Sequence, residues 1–122
     1  MKSFLWVGLG GFLGSIFRHA ISLGMAKFNL NFPYGTFIVN VTGCLLIGLF
    51  LGFSEKSNGL SEDWRIFLTV GFCGGFTTFS TFASENLSLL QNSNYLGFIT
   101  YSAGSFLLGL LAVWSGFELT KI

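Results

Sequence analysis

Four apolar stretches, at about 4–25, 35–53, 64–90 and 96–117, fill most of this 122-residue chain, with short polar connectors between them. Each is near or above the ~20 residues an α-helix needs to cross a ~30 Å hydrocarbon core. A membrane barrel is excluded, because it needs many alternating segments of about ten residues. Only 9% of residues are charged, against roughly 25% in an ordinary soluble domain. Six basic and five acidic residues cannot cover the large relative surface of so small a globule. The net charge of +1 leaves no basic patch for phosphates. The chain therefore reads as an all-α membrane protein, one domain over 1–122 with four transmembrane helices. A soluble domain, a disordered chain and a nucleic-acid binder are excluded.

The connectors fit this count. Residues 27–34 hold Asn29, Asn31 and the only proline, Pro33; residues 54–63 form the main polar loop; residues 91–94 make the last turn. Ser61, ahead of Glu62 and Asp63, is placed to cap the third span's N-terminus. Lys2 before an apolar run resembles a signal peptide, but Arg18 and His19 interrupt the run and three more spans follow, so the first span is expected to stay. Lys2, Lys56, Arg65 and Lys121 fall on one side of the membrane, with Lys27 and the nearby Arg18 on the other. So shallow a bias fits one fixed orientation, or insertion in both. Cys44 and Cys73 lack metal or CxxC spacing and read as small buried hydrophobes.

Polar groups inside the spans are costly and so informative. Arg18 either snorkels to the headgroups or faces an aqueous vestibule. Its neighbour His19 reads as an interfacial residue. Asn40, one turn into the second span, serves either as interhelical glue or as a donor to an anion. Gly10 and Gly14, and Gly48 and Gly52, form GxxxG pairs, whose ordinary meaning is close packing. The third span is anomalous. Gly74-Gly75 followed by Thr77-Thr78-Phe79-Ser80-Thr81-Phe82 makes a poor continuous helix. A break at Gly74-Gly75 would free carbonyls for a small cation and N–H groups for an anion. The alternative is a packing notch with the hydroxyls bonded back to the helix. Phe79 and Phe82 share a face, either as lipid or core contacts or with their positive edges turned to a pore. Glu85, one turn on, reads as interfacial rather than as a vestibule cap. In the fourth span, Ser102, Ser105, Gly109, Ala112 and Gly116 form a small-residue ridge, while Tyr101 and Ser105 share a face.

Three motifs in order carry a resemblance: Gly11-x-x-Gly14 with Arg18, then Gly35-Thr36-x-x-Val39-Asn40-x-x-Gly43, then Gly71-x-x-Gly74-Gly75-x-Thr77-Thr78-Phe79-Ser80-Thr81-Phe82. They resemble the fluoride channel family called Fluc or CrcB. The resemblance implies an antiparallel, dual-topology homodimer in the bacterial inner membrane, inserted in both orientations, with the third helix broken mid-membrane. It implies two pores that export fluoride passively and relieve its toxicity. Phe79 and Phe82 would be the pore phenylalanines and Asn40 the pore asparagine. Thr78, Ser80 and Thr81 would lie around the break, and Tyr101 and Ser105 would form the polar track of the fourth helix. Arg18 would be the vestibule arginine. Backbone carbonyls of Gly74 and Thr77 would hold a structural Na+ shared by both subunits. One departure is Gly109, where some members carry another hydroxyl.

Fluoride is small, strongly hydrated and a strong acceptor, so a pore must replace part of its water shell with graded donors and still release it. Asn, Ser and Thr donors and Phe edges are of that kind. The alternative is a small dual-topology exporter coupling protons to hydrophobic cations. It needs a membrane-embedded acid, which the first span lacks. No carboxylate, Cys/His or Ser/His pair is placed for catalysis, so an enzyme is not expected.

Overall fold

A computed structural model describes residues 1–28, 32–56 and 58–122. Asn29 and Asn31 of the first connector lie outside the described residues. Four helical spans are long and apolar enough to cross a membrane. The first is α1 (Lys2–Ala26) and the second α2 (Tyr34–Ser54). The third, Glu62–Gln91, comes in pieces: α3 (Glu62–Arg65), a π-helical stretch (Ile66–Cys73), α4 (Gly74–Phe76) and α5 (Phe79–Gln91). The fourth is α6 (Tyr95–Leu119). Each expected stretch lies within a helical span and stops one or two residues short of its ends.

Local chemistry sets the boundaries. Ser61 Oγ accepts the Trp64 N–H at 3.3 Å, and Glu62 and Asp63 lie in the first turn, where acids favour the helix dipole. Asn94 Oδ1 accepts the Gly97 N–H at 2.9 Å and starts α6. The π-helical stretch has no sequence signature. Within it the Thr69 hydroxyl bonds the Arg65 carbonyl at 2.6 Å, a back-bond of the kind that bends helices.

The spans pack as two parallel pairs. Along α1, Gly10 sits against the backbone of Phe67 and Gly71, and Gly14 against that of Phe72 and Phe76. A Cβ on Gly75 would lie 2.6 Å from the Gly11 carbonyl oxygen. The second pair joins α2 and α6: Gly48 meets the Val113 backbone, and Gly116 meets that of Leu45 and Leu49. Lipid tails are as apolar as Leu, so helix association in a membrane rests on close contact and not on hydrophobic burial. Glycine permits that contact. Most large apolar side chains accordingly face outward, while Val39 and Tyr101 are fully buried between the pairs.

This packing predicts a contrast. Gly75→Ala forces a methyl onto the Gly11 carbonyl and should destabilise the detergent-solubilised protein by about 1–3 kcal/mol. Gly8, whose Cβ position has nothing within 4 Å, should tolerate Ala without loss. Thermal unfolding of the two variants checks this.

Candidate functional site

Between α4 and α5 two residues leave helical geometry. Thr77 has ψ 159°, and Thr78 has φ −150° and ψ 114°. The expectation placed the break at Gly74-Gly75, but both glycines are helical and the extended pair lies three residues on. Gly75 is needed for contact, since it lies against Gly11, whereas a Cβ on Gly74 would meet nothing within 4 Å. The departure falls on two adjacent β-branched residues, which are suited to extended backbone.

The freed backbone groups find partners on other spans. In an unbroken helix the Thr78 N–H would go to the Gly74 carbonyl. Here it goes to Asn40 Oδ1 at 2.8 Å. The same amide returns a bond, Asn40 Nδ2 donating to the Thr78 carbonyl at 3.2 Å. The Gly75 carbonyl, which would accept the Phe79 N–H in an unbroken helix, accepts from Arg18 Nε at 3.0 Å. So Asn40 and Arg18 hold this stretch of main chain from α2 and α1. Asn40 therefore acts as interhelical glue and keeps one amide hydrogen for another acceptor. The half-buried Arg18 is tied to the main chain and does not reach freely to headgroups. Thr77 Oγ1 donates to the Cys73 carbonyl at 2.9 Å.

Thr78 then caps α5. Its Oγ1 accepts the Thr81 N–H at 3.2 Å, donates to Thr81 Oγ1 at 3.0 Å and lies 3.4 Å from Ser80 Oγ. Phe79 projects outward, 79% exposed. Its ring centroid is 5.7 Å from that of Phe82, which packs on Tyr101 at 4.9 Å.

A cavity of about 780 Å3 gathers Asn40, Gly74, Thr77, Thr78, Phe79, Phe82 and Ser105. Arg18, Ser80, Thr81 and Tyr101 do not line it. Ser105 Oγ is buried and has no hydrogen-bond partner among the described residues. An unmade bond of this kind is costly in a protein interior. Gly109 also finds a reason: its Cβ position is 3.4 Å from Cys44 Sγ, so a larger residue there would press on α2.

Two polar links behind Phe82 were not singled out from sequence. The buried Tyr101 donates its hydroxyl proton to Glu85 Oε1 at 2.9 Å. Glu85, expected at the interface, is half-buried and borders a second cavity of about 280 Å3 with Ser22 and Thr36. The bond from α6 fixes where its carboxylate sits. Ser102 Oγ donates to Asn86 Oδ1 at 3.2 Å, and Asn86 Nδ2 donates to the Phe82 carbonyl at 3.1 Å. A buried amide one turn after Phe82 was the available signal for Asn86.

No group of three His, Cys, Asp or Glu side chains is placed to hold a metal among the described residues. Main-chain oxygen is another ligand type. The Gly74 carbonyl has lost its α-helical donor to Asn40, and Gly74 is exposed. Such an oxygen fits a hard cation.

These features define a small integral membrane protein in which an interrupted third span, pinned from two other helices, borders a cavity with unspent donors. The family model described as CrcB-like protein, Camphor Resistance (CrcB), matches residues 5–117, and the chain belongs to this family. A Flavobacterium psychrophilum protein named fluoride-specific ion channel FluC is 46% identical over 122 residues, covering 99% of this chain and 98% of its own. Proteins of the same name are 44% identical in Phocaeicola vulgatus, covering 99% of this chain and 100% of their own, and 50% identical in Bacteroides fragilis, covering 95% and 94%.

If the Asn40 amide holds the extended pair, Asn40→Leu leaves the Thr78 N–H and C=O unpaired. Each costs about 1–3 kcal/mol. Hydrogen exchange at the Thr78 amide should accelerate and the melting temperature should fall.

Proposed function

We propose that this chain forms a fluoride-selective channel through which fluoride leaves the cell passively, lowering its toxicity. The observation that carries this reading is the buried, unpartnered Ser105 hydroxyl in the cavity that also holds Asn40, Thr78 and Phe82. A hydroxyl donor, one spare amide hydrogen and ring edges form a weak, graded set of donors. That set suits an anion which must shed part of its water and still leave. The N-terminal end of α5 and its cap at Thr78 add a favourable potential for an anion. The relatives' shared name supports the same anion.

The pore is completed by a second copy. Phe79 points away from its own chain at 79% exposure, beside the equally outward Val70 and Gly74. An antiparallel homodimer, built from chains inserted in both orientations of the bacterial inner membrane, would close this face and yield two pores. The near-balanced basic residues favour such dual insertion. The third span then reads as a transmembrane helix broken near mid-depth. The Gly74 and Thr77 carbonyls of one chain are too few to enclose a cation, so a Na+ would be held by those of two chains facing each other. Its charge would offset repulsion among the oxygens and raise the local positive potential. Ser80 and Thr81 support the cap, and Tyr101 backs the Phe82 ring. Arg18 contributes a fixed positive charge near the pore.

A proton-coupled exporter fits less well, since Glu85 accepts the bond from a fully buried tyrosine hydroxyl. The activity proposed is conduction, not catalysis.

The test is flux from liposomes. Purified protein should pass fluoride electrogenically and exclude chloride. Proton-driven cation transport without fluoride flux would overturn the reading. Phe82→Ile and Phe79→Ile should each lower fluoride flux severely with the dimer intact. Ser105→Ala, which removes one donor worth about 1 kcal/mol, should lower it by roughly five- to tenfold.

A further inference from the structure

Where α1 and the third span begin, three aromatic rings meet at a place separate from the cavity above. Trp6 of α1 stands perpendicular to Phe67, with centroids 6.2 Å apart and planes at 89°. Trp64 of α3 does the same from 5.7 Å at 85°. Two indoles thus stand perpendicular to one phenyl ring. They border a cavity of about 220 Å3 whose other lining residues are Ser61 and Asp63. The Ser61 hydroxyl oxygen already accepts the Trp64 N–H. Asp63 is exposed and makes no ion pair among the described residues. Arg65 faces a different cavity, shared with Glu55 and Glu62. Among the described residues, the only formal charge lining the box is therefore negative.

Ring faces carry negative potential and draw cations within about 6 Å, most strongly at Trp. A carboxylate at the same opening adds to that attraction. Trp64, at 58% exposure, keeps the box open to its surroundings. Trp6 and Trp64 lie within the first turns of their spans, at the depth where headgroups meet aromatic side chains. Packing accounts for Trp6 against Phe67 and the helix dipole favours an acid in this first turn; what the box adds is that the same carboxylate lines one cavity with two indoles.

We propose that this box binds the ammonium headgroup of a phosphatidylethanolamine lipid. A primary ammonium has three N–H donors, as in Lys. Asp63 accepts from one while the indole faces cover the rest of the charge. A choline headgroup satisfies the rings but has no N–H for Asp63. Phosphatidylglycerol brings no cation and meets the acid with like charge.

Native mass spectrometry of the full-length protein in detergent, with each lipid added at equal concentration, tests this. Phosphatidylethanolamine should bind at about tenfold lower concentration than phosphatidylglycerol, the scale expected of a desolvated cation–π contact with a carboxylate partner. Asp63→Asn, a change at an exposed side chain, should abolish that preference without disturbing the fold. Trp64→Leu should weaken it, and Trp64→Phe should retain most of it. Free ethanolamine at the same concentration should displace the lipid poorly. Equal binding of the two lipids by the unaltered protein, or an unchanged preference in either Asp63→Asn or Trp64→Leu, would overturn the site. Ethanolamine binding as tightly as the lipid would overturn its assignment to a lipid.

Discussion

One side-chain amide holds the site together. By accepting the Thr78 N–H and donating to the Thr78 carbonyl, Asn40 replaces helical bonds that the third span does not make. Backbone polar groups in hydrocarbon need internal partners, so irregular backbone survives at that depth only where protein or a cavity supplies them. Arg18 does for the Gly75 carbonyl what Asn40 does for Thr78. The Gly74 carbonyl is relieved of its helical donor in the same exchange. The extended residues, the cap of α5 and the outward turn of Phe79 all follow from these bonds.

The bonds work only because the helices lie very close. Arg18 can reach the Gly75 carbonyl because α1 and the third span approach through Gly10, Gly11, Gly14, Gly71 and Gly75, with almost no side chain between them. Of the two readings of Gly74-Gly75, a break or a packing notch, the notch describes Gly75, which lies against Gly11, while Gly74 has open space at its Cβ position. On the other side Gly43 lets α2 bring Asn40 in beside the third span, its Cβ position falling against Phe76 and Thr77.

This explains what the sequence disclosed and what it withheld. The four spans were legible because apolar length is a one-dimensional property, and so was the Ser61 cap, which depends on neighbours three residues apart. Asn40 and the Thr77-Thr78 run could be marked as unusual because polar groups in an apolar span are conspicuous. Their partnership could not be read, since the bonds join residues 38 apart. The π-helical stretch at Ile66–Cys73 has no pattern in its own residues that marks it. The Tyr101–Glu85 bond was hidden for a related reason: distance along a span says nothing of a tyrosine arriving from α6.

The interruption also has a meaning for how the bundle forms. Before α2 lies alongside, the Thr78 N–H has one good acceptor within reach, the Gly74 carbonyl of its own span. An isolated third span in lipid therefore favours the unbroken helix. In the assembled bundle the extended residues are held by Asn40 and Arg18, which take over the exposed groups. Whatever an open backbone at this point admits, it is withheld from the unassembled chain, and maturation of the bundle and exposure of the site become a single event.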